Sequence, residues 1–355
     1  MKVGVAMYLA WNEIRRNKLK FGLIIGVIVM ISYLLFLLSG LASGLMNLNK
    51  EAIDQWEADA IVISEDANQT IQQSMINTED INNLFEEQAE LKELSVIISN
   101  EEVEENAFVF GLEEDSFLMP PVIEGDATVS ENEVVADYSL KEAGFNIGDE
   151  LNLSNSDEVL EITGFTDSAQ YRASSLLFAS NETVEKLNPM LGEDVINAVV
   201  VKDENFENVN VDDELEVLAI DEFVENLPGY TPQQLTLNFM IIFLFIISSA
   251  VIGIFLYVLT LQKTSLFGVL KAQGFTNGYL ARSVLGQTLI VALMGTIIGL
   301  GLTLLTGVFL PPAVPIEFDY LTMVIYMVVL IIVAMLGSLF SVISVRKVDP
   351  LKAIG

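Results

Sequence analysis

The residues that could do chemistry in this 355-residue chain are above all its 49 aspartates and glutamates, because the chain contains neither histidine nor cysteine. Thiol nucleophiles, disulfides, His-ligated zinc and histidine general bases are therefore excluded. Adjacent acids such as Glu104 and Glu105 could work as an acid–base pair. In so acidic a chain such pairs are expected from composition alone, and we interpret them as solvated surface.

Motifs for nucleotide, metal or ester chemistry are missing as well. The sequence contains no G-x-x-x-x-G-K-[ST], no H-E-x-x-H and no G-x-S-x-G, which rules out phosphate binding by a P-loop and two common hydrolase sites. We therefore predict no enzyme activity, no intrinsic cofactor and no metal site.

Four uncharged stretches dominate the rest of the chain. They cover residues 21–47, 226–262, 283–316 and 320–345. A membrane-spanning helix needs about 20 apolar residues, so each stretch predicts one span. Because none of them contains Asp, Glu, Lys or Arg, an ion or proton relay through the spans is not expected.

The distribution of charge predicts the orientation of these spans. Residues 46–238 hold 45 of the 49 acids but only six of the 17 lysines and arginines. Short basic flanks stay in the cytoplasm, whereas long domains are translocated largely regardless of their charge. We therefore expect both termini inside and the acidic block outside. Its charge would repel nucleic acid and is interpreted mainly as solvation, with salt adaptation or cation attraction as alternatives.

The predicted fold class is an α-helical membrane protein with four transmembrane helices and a large α+β extracellular domain between the first two. The predicted segments are a cytoplasmic amphipathic helix (1–20), the first span (21–47, an uncleaved anchor), the extracellular domain (48–234), the second span (235–262), a cytoplasmic coupling loop (263–282), the third span (283–310), an extracellular loop (311–319), the fourth span (320–345) and a cytoplasmic tail (346–355).

Within the extracellular domain, local patterns predict alternating strands and short helices. Strands are expected at 58–64, 106–112, 133–137, 147–153, 159–165, 175–179 and 197–202, and helices at 78–88, 139–144 and 181–188. The order of the strands does not follow from the sequence. In the spans, the glycine pairs 22/26, 40/44 and 295/299 would permit close helix packing.

Two stretches on the predicted cytoplasmic side resemble a known family. The first reads Phe-Gly-Val-Leu-Lys-Ala-Gln-Gly at 267–274, and the second reads Asp-Pro-Leu-Lys-Ala-Ile at 349–354. Together with the opening segment 9–18 and the segments 133–137 and 145–151, they resemble the FtsX/MacB superfamily of ABC-transporter permeases. Members of that superfamily have four spans and a large external domain between the first and second.

This resemblance implies a separate cytoplasmic ABC ATPase that carries ATP and Mg²⁺, in a complex of two permeases and two ATPases in the cell membrane. A short helix after the second span would dock in a cleft of the ATPase, as a helix lies in a groove. Its apolar face would consist of Leu266, Phe267 and Leu270. The other residues of the matching loop are Gly268, Lys271 and Gly274, of which Gly274 would end the helix. The alternative is an ordinary turn on the membrane surface.

Within the superfamily the chain is most similar to the haem-exporting HrtB-type permeases of Gram-positive bacteria. That subgroup implies haem as cargo, and Tyr171 and Tyr230 match tyrosine positions of its pattern. Arg172 could pair with a haem propionate, and Met46 and Trp56 are further candidates. We expect the tyrosine hydroxyls to be exposed. The alternative for both tyrosines is ordinary packing.

Other functions are compatible with the same frame. The cargo could be an antimicrobial peptide or a lipid, or the permease could transmit a mechanical signal to a cell-wall hydrolase without moving any cargo. For haem, we expect lateral uptake from the membrane between the first two spans of paired subunits.

Overall fold

The computed structural model describes residues 11–347 except 82, 83, 101, 102, 114, 128, 155, 168, 312 and 313. Residues 1–10 of the expected amphipathic helix and the tail motif at 349–354 lie outside the described residues. Contacts within the chain divide it into two units. One unit contains residues 1–44 and 235–355, and the other contains residues 45–234.

The regular elements are numbered in chain order. The helices are α1 (Lys18–Asn47), α2 (Glu51–Gln55), α3 (Tyr138–Ala143), α4 (Asn181–Leu187), α5 (Ile220–Asn226), α6 (Tyr230–Leu261), α7 (Thr264–Ala272), α8 (Asn277–Phe309) and α9 (Tyr320–Lys347). The strands are β1 (Ala60–Ser64), β2 (Ile76–Asn77), β3 (Glu87–Ser99), β4 (Glu104–Leu112), β5 (Val122–Gly125), β6 (Glu133–Asp137), β7 (Glu150–Leu153), β8 (Val159–Thr166), β9 (Ser175–Ser180), β10 (Val195–Ile196), β11 (Ala198–Lys202) and β12 (Leu215–Ala219). Residues 11–16 are also helical and precede α1.

The first unit is built from long apolar helices. In the described part of the chain, four helices are long and apolar enough to cross a membrane: α1, α6, α8 and the first 20 residues of α9. The four predicted apolar helices are thereby confirmed. Inside a bilayer, a single stretch can hydrogen-bond its own backbone N–H and C=O groups only by forming a helix.

Small residues bring α1 and α8 together. A side chain at Gly299 would place its Cβ 3.0 Å from the Cβ of Ser32, and Gly295 faces Ile28. Here the prediction of glycine-mediated helix packing is confirmed. Gly40 and Gly44 instead adjoin the 314–318 segment between α8 and α9, while Gly22 and Gly26 face open space among the described residues.

The second unit is a sheet with helices on its surface. Among the described residues, ten strands form one sheet in the order β12-β1-β11-β3-β4-β9-β6-β8-β5, with β7 beside β3 and β8. Most neighbours are antiparallel, but the β4–β9 and β6–β8 pairs are parallel. This mixed topology is the α+β architecture that the alternating short elements predicted.

Several strands are buried on both faces. Ile61 and Ile63 of β1 pack into one core cluster, whereas the alternating Ala60 and Val62 pack into another. Successive side chains of a strand point to opposite faces, so the continuous apolar run at 60–63 contributes side chains to two hydrophobic cores. β4 does the same, with Phe108 and Phe110 on one face and Ala107 and Val109 on the other.

One predicted element is wrong. The 78–88 stretch was expected to be a helix, but only Thr78–Ile81 forms a short 3₁₀ turn, and Glu87 already begins β3. The Gln88 side chain binds the loop instead, donating to the Ile81 carbonyl at 3.0 Å. Because β3 pairs with both β4 and β11, tertiary pairing overrides the local helix preference.

The short helices α3 and α4 are both capped at their N-termini. Asp137 accepts a hydrogen bond from the Ser139 amide at 3.0 Å and opens α3, which ends at the left-handed Gly144. Ser180 accepts from the Thr183 amide at 3.3 Å and opens α4. These contacts satisfy amides and carbonyls that a helix end leaves free, and both predicted helices are confirmed.

Candidate functional site

A buried aromatic cluster lies at the centre of the second unit. It is formed by Trp56, Phe108, Phe110, Tyr171 and Phe178. The Tyr171 ring lies 5.1 Å from the Phe108 ring and 5.3 Å from the Phe110 ring, and Trp56 lies 6.0 Å from Phe110. These centroid separations are in the range that favours aromatic pairing.

The structure brings the predicted haem candidates into one core. Tyr171, Trp56 and Tyr230 belong to the same buried cluster, and Met46 packs against its edge. The sequence places these residues in three separate segments, so their proximity is a result of the fold. Whether they contact a cargo stays a prediction.

The expected exposure of the Tyr171 hydroxyl is wrong. The residue is only 1% exposed, because Phe108 and Phe110 of β4 pack against its ring. Burial, reinforced by the neighbouring Glu93 carboxyl, raises the pKa of this phenol well above its usual 10. Tyr171 can therefore contact a cargo only if this part of the unit opens.

Glu93 is the residue of this site that sequence reasoning missed. It lies on β3 opposite Phe110 of β4 and is 2% exposed. Neither of its carboxylate oxygens has a hydrogen-bond partner of good geometry among the described residues. Burial raises the pKa of Glu93 to about 7, although Arg172 and Tyr171 favour its ionised form.

Arg172 follows Tyr171 and covers the edge of the cluster. Its guanidinium carbon lies 5.2 Å from the centroid of the Phe108 ring, a cation–π contact. Its Nη1 is buried and has no hydrogen-bond partner in the described structure, and the same is true of the Trp56 indole nitrogen. Buried polar groups are normally paired, so two unpaired nitrogens and a buried carboxyl around a single aromatic cluster mark it as an unusual site.

Tyr230 borders a different pocket at the start of α6. The pocket has a volume of about 310 Å³. Its charged lining residues are one base, Lys50, and four acids, Asp54, Glu57, Asp221 and Glu225. Lys50 is paired with Asp54 at 2.6 Å. The surroundings of Tyr230 are therefore acidic, which favours cationic over anionic ligand groups.

The predicted coupling helix is present as α7, but its faces differ from the expectation. Phe267 is buried and packs with Leu280, Val284 and Val342, and Gly268 is buried beside it. Placing Phe267 on the free apolar face is therefore wrong, because this side chain is already buried in the core of the helical unit. The exposed apolar residues are Leu266 and Val269.

The other loop residues lie around that core. Leu270 is partly buried against the same cluster, Lys271 is in the last turn of α7, and Gly274 has the left-handed φ of 92° that ends the helix. A cavity of about 600 Å³ lies between residues 12–17 and α7, and Leu266 and Leu270 line it.

A polar network anchors the beginning of α7. Lys263 lies 2.5 Å from Glu13 and 3.2 Å from Gln287, and Gln287 also donates to Glu13. The Lys263 ammonium also lies 4.8 Å from the centroid of the Phe21 ring. Residues 11–16, α7 and α8 are thus held together by largely buried polar contacts.

Comparison with known proteins finds a family that matches most of the second part of the helical unit. Residues 238–350 match the FtsX-like permease C-terminal family. This segment is similar to FtsX-like permease domains. The resemblance predicted from the loop motif at 267–274 is confirmed, because the motif lies inside the matched segment. A permease domain also agrees with the prediction that the chain itself is not an enzyme.

Similar proteins extend this result beyond the FtsX-like permease domain. The chain is 27% identical to a protein of Staphylococcus haemolyticus named as hemin transport system permease HrtB, covering 98% of this chain and 99% of the relative. A Staphylococcus epidermidis protein of the same name is 26% identical with the same coverage. Such relatives fit the predicted Gram-positive source.

Two solved structures are also similar. The periplasmic region of MacB from Actinobacillus actinomycetemcomitans gives a TM-score of 0.36 at 14% identity, covering 51% of this chain and 98% of that one. The extracellular domain of the ABC-type transporter YknZ from Gram-positive bacteria gives a TM-score of 0.32 at 13% identity, covering 45% and 98%.

Proposed function

We propose that the chain is the permease subunit of an ATP-driven exporter whose cargo is haem. The observation that carries this proposal is the similarity to permeases named for hemin transport, which extends over 98% of the chain. A match of that extent includes both the helical unit and the inserted unit. The FtsX-like permease domain alone would support many different cargoes.

The chemistry of the inserted unit supports a planar, apolar cargo with acidic groups. Trp56, Tyr171 and the neighbouring phenylalanines offer aromatic faces on which a porphyrin can pack. Arg172 supplies a guanidinium, whose planar geometry matches a propionate carboxylate. Because the chain has no histidine or cysteine, the haem iron would be ligated by a tyrosine or carboxylate oxygen or by a methionine sulfur.

The energy for transport would come from the partner. The four spans contain no charged side chain in their apolar stretches, so a continuous ion-coupled pathway is not expected. A cytoplasmic ABC ATPase would dock on α7 and the adjacent cavity, in a complex of two permeases and two ATPases. Its closure would move the outer unit, and cargo would be taken up laterally from the membrane between the α1 and α6 helices of paired subunits.

The proposed function also implies an orientation of the chain in the membrane. Residues 45–234 would lie outside the cell membrane, and α7 and both termini would lie in the cytoplasm. The basic residues Arg15, Arg16, Lys18 and Lys20 are exposed beside α1, as expected for a segment at the headgroups of the inner leaflet.

Haem titration of the purified permease tests the proposed cargo. We expect a saturable Soret band of the oxygen-ligated type rather than the bis-histidine type. Tyr171→Phe with Tyr230→Phe should weaken haem binding by about tenfold, which corresponds to about 1.4 kcal/mol. Tyr138→Phe, which removes a hydroxyl outside the aromatic cluster, is the matched control. No saturable binding to the unmodified protein would reject haem as cargo.

A cationic peptide is the second candidate cargo. Four acids and a single base line the pocket beside Tyr230, and this charge attracts cationic rather than anionic ligands. Peptide resistance should then depend on Asp54 and Asp221, whereas haem tolerance should not. Replacing both acids by asparagine and measuring survival in a cationic antimicrobial peptide and in haem separates the two cargoes.

A further inference from the structure

A strained turn at Tyr171–Ser174 connects the aromatic cluster to the chain that leaves α1. The Tyr171 amide donates to the Ser174 carbonyl and the Ser174 amide donates back, both at 3.0 Å. The two central residues, Arg172 and Ala173, have φ values of 52° and 54°. Such turns normally use Asn or Gly at these positions, because other side chains crowd the backbone.

The amides of the two strained residues are used for a specific contact. Arg172 donates to the Asn49 carbonyl and Ala173 donates to the Leu48 carbonyl, each at 3.0 Å. Leu48 and Asn49 directly follow the last residue of α1. The turn therefore binds the backbone of the two residues that come immediately after this helix.

Neighbouring contacts extend this connection. The Ala52 amide donates to the Gln170 carbonyl at 3.0 Å, and the Gln55 side chain donates to the Asp167 carbonyl at 2.9 Å. Asp167 and residues 170–173 are thus attached to residues 48–55 at several points. A left-handed conformation in non-glycine residues persists only where surrounding contacts impose it, and these contacts supply that constraint.

On its other side, the same turn carries two side chains into the site. Tyr171 is buried in the aromatic cluster beside the Glu93 carboxyl, and the Arg172 Nη1 is buried without a hydrogen-bond partner of good geometry among the described residues. The closed arrangement thus combines backbone strain with a buried guanidinium nitrogen that a ligand or water would satisfy. Both features favour opening once the contacts to residues 48 and 49 are lost.

We propose that the Tyr171–Ser174 turn is a latch, through which the end of α1 controls access to Tyr171 and Arg172. While the Leu48 and Asn49 carbonyls hold the turn, the two side chains stay buried. Displacement of these carbonyls during the transport cycle releases the turn and presents both side chains to the cargo. This role rests on the proposed export function, and Leu48, Asn49 and Ala173 act as positioning residues.

A cross-link across the latch tests this role in the full-length protein. The chain has no native cysteine, so Leu48→Cys with Ala173→Cys forms a unique pair. The backbone hydrogen bond between these residues suits the separation of about 4.4–6.8 Å between Cα atoms that disulfides need. In lipid nanodiscs, the oxidised protein should bind haem about tenfold more weakly than the reduced protein. The pair Leu48→Ser with Ala173→Ser controls for the substitutions.

Saturable haem binding of equal affinity by the oxidised and reduced forms would overturn the latch. Hydrogen exchange gives a second readout that requires neither the disulfide nor a correct cargo. In the complex with its ATPase, the Arg172 and Ala173 amides should exchange about tenfold faster during ATP turnover than without ATP. Unchanged exchange also overturns the latch. Accelerated exchange without haem binding retains it and rejects haem instead.

Discussion

At the scale of single residues, Glu93 decides how the candidate site responds to pH. Its ordinary pKa of 4.5 is raised to about 7 by burial. The folded protein therefore keeps a proton that the unfolded chain releases as the pH rises from about 4.5 to about 7. Stability falls over this window, and the charged form costs about 3 kcal/mol above it.

Replacing Glu93 by glutamine should remove this pH dependence. The quantity to compare is the free energy of unfolding of Glu93→Gln minus that of wild type. We expect this difference to be about 3 kcal/mol larger at pH 8 than at pH 4.5. Trp56 lies in the aromatic cluster and reports unfolding of that unit, so fluorescence-detected denaturation in a Trp11→Phe background measures the effect. A difference between variant and wild type that is the same at both pH values would show that the Glu93 carboxyl is solvated.

The sequence identifies some of these residues and not others, for physical reasons. Tyr171 and Tyr230 stand out because tyrosine is rare in the inserted unit and matches a family pattern. Glu93 is one of 49 acids, and only the pairing of β3 with β4 shows that it is buried. The left-handed Arg172 and Ala173 were not predictable either, because neither residue type favours that conformation.

At the scale of elements, α7 has one buried and one exposed apolar face. Phe267 belongs to the core formed with α8 and α9, while Leu266 and Val269 are exposed. From the sequence, the apolar residues of this helix could be recognised but not assigned to a face. The fourth span packs here as well, through Val342, and this contact fixes which side of α7 remains free.

Charged substitutions on the two faces of α7 should separate docking from folding. Leu266→Asp and Val269→Asp should leave permease abundance unchanged and lower the stimulated ATPase activity of the partner about tenfold, since a charge in an apolar interface is costly. Phe267→Asp should instead lower permease abundance, because replacing this buried core side chain lowers folding stability by about 3 kcal/mol or more. Full ATPase stimulation with both exposed-face variants would exclude α7 as the docking element.

Strands and helices of the inserted unit were predictable to different degrees. Short elements with clear caps, such as α3 and α4, follow from the sequence because their signals are local. β3 was assigned in part to a helix because its stability comes from the neighbouring β4 and β11. The sheet order, with its parallel β4–β9 and β6–β8 pairs, depends on contacts that are distant in sequence.

At the scale of the whole molecule, the arrangement of charge predicts the orientation of the chain in the membrane. The acidic block of residues 46–238 is placed outside, and the basic segments beside α1 and α7 are placed inside. The number of apolar helices follows from composition and is confirmed. Their sidedness rests on the charge rule alone.

Single-cysteine labelling measures that sidedness directly. The native chain has no cysteine, so each introduced thiol is the only one. In intact cells, an impermeant maleimide should label Ser154→Cys and should label Thr276→Cys only after the cells are permeabilised. Labelling of Thr276→Cys in intact cells would contradict the orientation, and the permeabilised sample controls for the reactivity of each thiol.

Retention of haem by cells tests the central claim most directly. Cells that lack this chain should keep more haem after a brief haem load, and should tolerate less of it, than cells that carry it. The wild-type gene should restore efflux, whereas the Tyr171→Phe/Tyr230→Phe variant, expressed at equal abundance, should restore it only weakly. If loss of the chain leaves both haem retention and haem tolerance unchanged, the exported cargo is not haem.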